Sequence, residues 1–183
     1  MFSAFRPSQM AAVTVAAWLS LLGAAAATTG VVPAHHTTQT VADQTQVRQH
    51  NITLVTTALQ VVFTEHRIDQ IDRYFSPDFI QHSPLVTDPG REGLKQWLAR
   101  TVAAIPDLTY TSNQVLAEGD RVITFSTVTG TIVNDMPDYG IKANGQKLNI
   151  LTAHIFRVAH NQIAEHWEVV DTGPLVKIAL GVG

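Results

Sequence analysis

Residues 148–171 read LNILTAHIFRVAHNQIAEHWEVVD, and this stretch decides the fold. Two runs with alternating apolar positions flank Ala159-His160-Asn161, the pattern of an antiparallel hairpin. Side chains alternate between the faces of a strand, so Leu148, Ile150, Thr152, His154, Phe156 and Val158 share one face, a mainly apolar row interrupted by one histidine. What the second strand adds to that face depends on the turn. A three-residue loop with Asn161 in the left-handed conformation sets His166 opposite His154 and Glu168 opposite Thr152, gathering two imidazoles and a carboxylate. A two-residue loop instead sets Trp167 opposite His154 and turns Glu168 to the far face.

Outward from the hairpin, alternating strands run from Leu108 to Ala117 and from Arg121 to Val133, about a turn at Glu118-Gly119-Asp120. The loop from Asn134 to Lys147 carries Met136, Pro137, Tyr139 and Asn144-Gly145 and can rim a cavity. Ahead of the strands, helical spacing marks Gln44 to Glu65 (Leu54, Val55, Ala58, Val61, Val62) and Gly90 to Ile105 (Leu94, Trp97, Leu98, Thr101, Val102, Ile105). A short helix over Ile68 to Phe75 is ended by Pro77. Phe79 to Pro84 is extended, placing His82 at a strand end or loop mouth. Gly173-Pro174 stops the last strand. Helices segregated from an antiparallel sheet make an α+β fold. With three N-terminal helices on the concave face of a strongly curved sheet, the expected form is a cone-shaped barrel.

The N-terminus has one early arginine, Arg6, then an apolar run from Met10 to Ala27 ending in small residues. This reads as a secretory signal peptide over residues 1–27, cleaved near Ala27, and implies a secreted or periplasmic protein. An uncleaved anchor is the competing reading, because the run approaches the ~18 residues that span a bilayer. Residues 28–43, including the His35-His36 pair, read as a flexible leader, and 44–183 as one domain. The 183-residue chain has no cysteine, so an exported domain must be held by packing. A net charge of −3 with scattered Lys and Arg offers no basic face for nucleic acid. After signal cleavage no membrane contact is expected. Asn51-Ile52-Thr53 matches a glycosylation acceptor pattern but falls within a predicted helix.

The segments YFSPDFIQHSP (Tyr74 to Pro84), the Gly90-to-Ile105 helix, the turn Ala117-Glu118-Gly119-Asp120 and FRVAHNQIAEHWEVVD (Phe156 to Asp171) together resemble the SnoaL-like polyketide cyclase family. That family belongs to the nuclear-transport-factor-2-like superfamily of cone-shaped α+β domains, and the resemblance runs from about residue 46 to 172. It implies an acid/base enzyme without cofactor or metal, and a homodimer formed through the sheet. Glu168 stands at the family's acid/base position, the acidic residue after Glu-His-Trp. His154 matches a histidine of the preceding strand, a place where the superfamily's isomerases resemble it in carrying an acid that donates to the developing oxyanion. His82 fits a pattern of His, small residue and Pro near the cavity mouth. The chain departs from the pattern in carrying Glu where the cyclases carry Asp, and in its export signal, both of which argue against a classical polyketide substrate.

The candidate catalytic residues are therefore Glu168, His154, His82 and His166. The candidate pocket residues are Tyr74, Phe79, Trp97, Phe125, Met136, Leu148, Ile150, Thr152 and Phe156. Aldol-type cyclisation, isomerisation or dehydration of a small apolar carbonyl compound needs a base for the α-proton and a donor for the enolate oxygen, roles that Glu168 and His154 can divide. Two alternatives stay open. One is a non-catalytic domain that binds a ligand or partner through the same cavity, since fold does not fix function. The other is a metal site built from His82, His154, His166 and Glu168, whose ligand types suit zinc or iron.

Overall fold

The computed structural model describes residues 40–83, 86–143 and 145–182. The expected signal peptide and most of the expected leader lie outside them. Helix α1 spans Val41–Ala58 and is opened by a reciprocal cap. Thr40 Oγ1 accepts from the Asp43 amide at 3.1 Å, while the Asp43 carboxylate accepts from the Thr40 amide at 3.1 Å. The helix thus begins inside the segment expected as leader, and its first turns are exposed. Its buried face starts at Asn51, whose Nδ2 donates to the Gly119 carbonyl at 3.0 Å. The amide of the glycosylation pattern is therefore buried and engaged, which removes it as an acceptor. From Leu59 to Thr64 the helix widens into a π-helix that turns Leu59, Val62 and Phe63 inward together.

A 3₁₀ turn (Ile68–Gln70) leads into α2 (Ile71–Tyr74), and β1 (Phe75–His82) follows without a loop. Pro77 lies within β1 rather than before it. This is tolerated because β1 is an edge strand, where a missing N–H need not face a neighbour. Helix α3 (Arg91–Ala104) is tied to α2 by Asp72, which meets Arg91 at 3.1 Å and Lys95 at 2.7 Å. The remaining elements are β2 (Thr109–Glu118), β3 (Arg121–Thr131), a 3₁₀ turn (Pro137–Tyr139), β4 (Lys147–Ala159), β5 (Gln162–Val170) and α4 (Gly173–Leu180). Gly173-Pro174 ends the sheet as expected, but Pro174 then opens α4, at a helical position whose N–H would have no partner in any case. Among the described residues no helix is long and apolar enough to cross a membrane.

The sheet order is β1-β5-β4-β3-β2, and the sheet is not closed. It is antiparallel except at β1, which runs parallel to β5, so the α+β cone fold stands with a mixed sheet. One amide positions that junction: Gln162 Nε2 donates to the carbonyls of Asp72 at 3.0 Å, Arg73 at 3.2 Å and Phe75 at 3.4 Å. Helix residues Val55, Val62, Leu94 and Leu98 pack with Val122, Val128, Leu148, Ile150 and Phe156 from the inner face of the sheet. Burying a side chain of this size contributes ~1.5–3 kcal/mol. Gly130 lets the end of α3 approach β3, since a Cβ there would lie 2.3 Å from Ile105 Cγ2.

The hairpin register differs from both expectations. The turn has two residues, His160 and Asn161, at φ 49° and 67°, and it pairs Ala159 with Gln162 and Val158 with Ile163. Alone, that turn would point Glu168 outward. Ala164 is an extra residue in β5, however: beyond it Arg157 pairs with Glu165, Phe156 with His166 and His154 with Glu168. The bulge shifts the register by one and restores the inward face.

Candidate active site

Beyond the bulge, the inner faces of β4 and β5 bring Thr152, His154, His166 and Glu168 together. His154 Nε2 lies 2.9 Å from Thr152 Oγ1, and His154 Nδ1 lies 2.9 Å from His166 Nε2. The Thr152 hydroxyl donates to the Ser126 carbonyl at 3.3 Å. One placement of protons satisfies all three contacts: Thr152 donates to Ser126, His154 Nε2–H donates to Thr152, and His166 Nε2–H donates to His154 Nδ1. Both nitrogens of His154 are then in use.

Burial sets the charges. It pushes His154 down to about 4 and His166 well below its usual value, so both rings are neutral at neutral pH. His166 is also stacked on Phe156, ring centres 4.7 Å apart. Burial raises the Glu168 carboxyl, against a smaller downward pull from the Ser83 and Gln81 side chains. Glu168 Oε2 lies 3.9 Å from His154 Nδ1, too far for a hydrogen bond, so the neutral ring does little to hold the carboxylate ionised.

Glu168 faces two adjoining cavities. The outer one, about 70 Å³, is walled by Trp97, Tyr110, Met136, Tyr139, Leu148, Ile150, Thr152 and Glu168, with Leu175 of α4 also contributing. The inner one, about 20 Å³, is walled by Leu59 and Phe63 of the π-helical turn, Phe79, Gln81, His154, Phe156 and His166, with Trp97, Tyr110 and Glu168 shared between the two. Glu168 is the one carboxylate lining either cavity among the described residues.

Of the residues expected from sequence, Glu168, His154 and His166 converge, and Trp97, Phe79, Met136, Leu148, Ile150, Thr152 and Phe156 line the walls. Three do not join them. His82 is on the outer face, stacked on Trp167 at 4.5 Å and bonded to Glu165 at 2.8 Å, because it pairs with outward-facing Trp167. Phe125 is also outward and half exposed, since β3 pairs it with outward-facing Ala153. Tyr74 is buried in the core under Arg73, away from both cavities. The alternative metal set loses His82 in the same way. His154, His166 and Glu168 do offer ligand atoms within 4.8 Å of one another, but the His154 nitrogen nearest the other two already bonds to His166.

Among the wall residues not singled out from sequence are Gln81, Tyr110 and Tyr139. Tyr110 pairs with buried Val128, so the alternation of β2 carries that signal. Gln81 is inward because its neighbour His82 is outward. Its amide oxygen is buried and has no protein hydrogen-bond partner among the described residues. Tyr139 lies in the loop expected to rim a cavity, and its hydroxyl accepts from Trp97 Nε1 at 2.9 Å.

Residues 53–177 match the family model for the SnoaL-like polyketide cyclase. No curated protein matches the chain. Solved structures with the same fold include TsrD from Streptomyces laurentii, 24% identical with a TM-score of 0.64, covering 72% of this chain and 96% of that one. AclR from Streptomyces galilaeus is 21% identical with a TM-score of 0.65, covering 74% and 99%. IdmH from Streptomyces antibioticus is 24% identical with a TM-score of 0.62, covering 72% and 99%. At these identities the likeness is one of fold.

Proposed function

The chain belongs to the SnoaL-like polyketide cyclase family, and from that premise we propose that it is a cofactor-free acid/base enzyme acting on a small apolar carbonyl compound. Glu168 takes a proton from the carbon α to the carbonyl, and the C–H electron pair moves through the new C=C bond onto the carbonyl oxygen. The enolate then attacks a second carbonyl, or is reprotonated at another carbon, and Glu168 returns its proton to the product. The observation that carries this reading is the carboxylate itself, alone of its kind in the cavity walls among the described residues and raised by burial, hence a stronger base than a surface glutamate. A cavity of about 70 Å³ favours a small substrate.

The test is proton exchange in D₂O, followed by NMR over a panel of small cyclic and aryl ketones. Wild-type protein is expected to exchange the α-protons of at least one ketone, and Glu168→Gln to lose that exchange while keeping its circular dichroism spectrum. Equal exchange by both proteins ends the assignment.

The alternative is a binding domain that holds such a ligand unchanged. One observation favours it: His154, expected to donate to the enolate oxygen, has both nitrogens committed to neighbours. Retention of an apolar ligand without exchange or conversion would make it the better reading. Two further expectations stand as proposals, export behind residues 1–27 and pairing of two copies through the outer sheet face. Leu116, Phe125, Leu151 and Val169 are exposed on that face, and sedimentation of wild type against Phe125→Lys tests the pairing.

A further inference from the structure

Resting on the reading of Glu168 as the base, we propose that the hydroxyls of Tyr139 and Tyr110, with Trp97 positioning the former, are the donors that hold the carbonyl oxygen as it becomes an enolate. An enolate forming in an apolar cavity needs donors aimed at its oxygen. The two neutral histidines spend their N–H groups on neighbours, His154 on Thr152 and His166 on His154, and the Thr152 proton goes to Ser126.

The tyrosines have what the histidines lack. An indole N–H is a donor only, so in the Trp97 to Tyr139 contact at 2.9 Å the phenol oxygen accepts, and its own proton remains to be given elsewhere. Among the described residues neither tyrosine hydroxyl donates to a protein acceptor. Both residues wall the outer cavity together with Glu168, close enough that the Glu168 charge raises the ionisation of each. Burial keeps Tyr110 protonated throughout the ordinary pH range. In Tyr139 the Trp97 hydrogen bond works against burial, polarising the O–H and making it the better donor of the two. Its place is held from outside the cavity as well, since the adjacent Asp138 pairs with Arg100 of α3 at 3.2 Å. A ketone in the outer cavity thus meets one carboxylate and two phenol hydroxyls in the same wall set. The ligand class is a compound with one carbonyl oxygen to seat and an otherwise apolar surface.

The probe is p-nitrophenol, whose anion resembles an enolate and whose absorbance reports its ionisation. It is titrated against Glu168→Gln, in which the negative charge that would repel the anion is gone. The expected result is binding as the phenolate, with the ionisation of bound nitrophenol shifted to lower pH. Adding Tyr139→Phe weakens phenolate binding roughly 10- to 100-fold and Tyr110→Phe acts in the same direction, the range of a hydrogen bond to a charged group. Trp97→Phe shifts the bound probe's ionisation less, upward, as a residue acting through Tyr139 should. Binding of p-nitroanisole, which forms no anion, reports whether each cavity is intact and is expected to be unchanged in Tyr139→Phe. Phenolate binding unaffected by Tyr139→Phe overturns the proposal, as does failure of Glu168→Gln to bind p-nitrophenol at all. The base assignment fails separately, by absence of α-proton exchange in wild type whatever the phenol does.

Discussion

Strand β5 supplies the glutamate of two His–Glu pairs, one on each face, and the pairs are chemically opposite. On the outer face His82 meets Glu165 at 2.8 Å, with side chains 38% and 23% exposed. On the inner face His154 stands 3.9 Å from Glu168, with side chains 4% and 14% exposed. Hydrogen bonds from His82 and Arg157 hold the Glu165 carboxyl below its ordinary range, whereas burial lifts Glu168 above it. The outer pair is embedded in further charge, with Arg157 bonded to Glu165 and Arg121 lying 4.8 Å over the Trp167 ring. The inner pair has only neutral neighbours. The same two residue types thus make a partly exposed, hydrogen-bonded pair on one face and a buried carboxyl beside a neutral ring on the other, and the difference lies in water and neighbouring charge rather than in residue identity.

That contrast is most directly broken by shifting β5 beyond the bulge. Deleting Trp167 moves every later residue back by one, so Glu168 would pair with Ile155 on the outer face and Val169 would stand opposite His154. The deletion is expected to abolish α-proton exchange and to cost on the order of 4–5 kcal/mol of stability, measured by urea unfolding. Retained exchange would show that the register of β5 does not aim the carboxylate. Next in size, Glu168→Gln should lower exchange ~10²–10⁴-fold, while Glu165→Gln leaves rate and melting temperature nearly unchanged. Comparable losses in both variants would erase the distinction between the faces.

Acid sharpens the comparison by a smaller amount. His154 titrates near 6.5 in the unfolded chain and near 4 in the folded protein, so between those values the unfolded state binds more protons. The stability linked to this group is complete above pH 6.5 and is lost as pH falls to 4, by about 3 kcal/mol. Urea unfolding at a series of pH values should show that loss, and His154→Gln should remove part of it, leaving the part linked to His166, which burial depresses in the same direction. A wild-type protein equally stable across this range would mean the ring is hydrated. The smallest effect is expected from His82→Ala, which removes the ring stacked on Trp167. A melting temperature lowered by no more than a few degrees and unaltered exchange are the outcomes, and a large loss of exchange would return His82 to the active site.

Much of this arrangement is legible in the chain. Period-two alternation in β4 places His154 on the inner face, and helical spacing in α3 places Trp97 beside it. The inward direction of Glu168 is reached from sequence through a three-residue turn, whereas the protein uses a two-residue turn and a bulge. The two routes differ by an even number of residues, so they agree on the face and disagree on the partner. The trace of the bulge is Ile163-Ala164, two consecutive buried residues in a strand whose burial otherwise alternates around them. Phe125 reads as inward from sequence because hairpin signals fix the pairing of β2 with β3 but not of β3 with β4, whose joining loop leaves the register free. The parallel course of β1 is set by a contact remote in sequence, and no local propensity reports it. The roles of Tyr110 and Tyr139 depend on which hydrogen bonds the histidines have already made, which only three-dimensional distances disclose.

The edge position of β1 also bears on how the protein assembles and opens. Strands β2 to β5 follow one another in the chain, so their pairing needs little loop closure, whereas His82 is 83 residues from its partner Glu165. Such an edge is expected to dock late in folding and to detach first in the native state, ahead of the sheet behind it. Since β1 carries Phe79 and Gln81, its detachment unroofs the inner cavity while leaving Glu168 on an intact β4–β5 scaffold. Amide hydrogen exchange at Ile80, Gln81 and His82 should then run faster than at Phe156 and be slowed by a bound ligand, which makes the least anchored strand of the sheet the door to its most buried space.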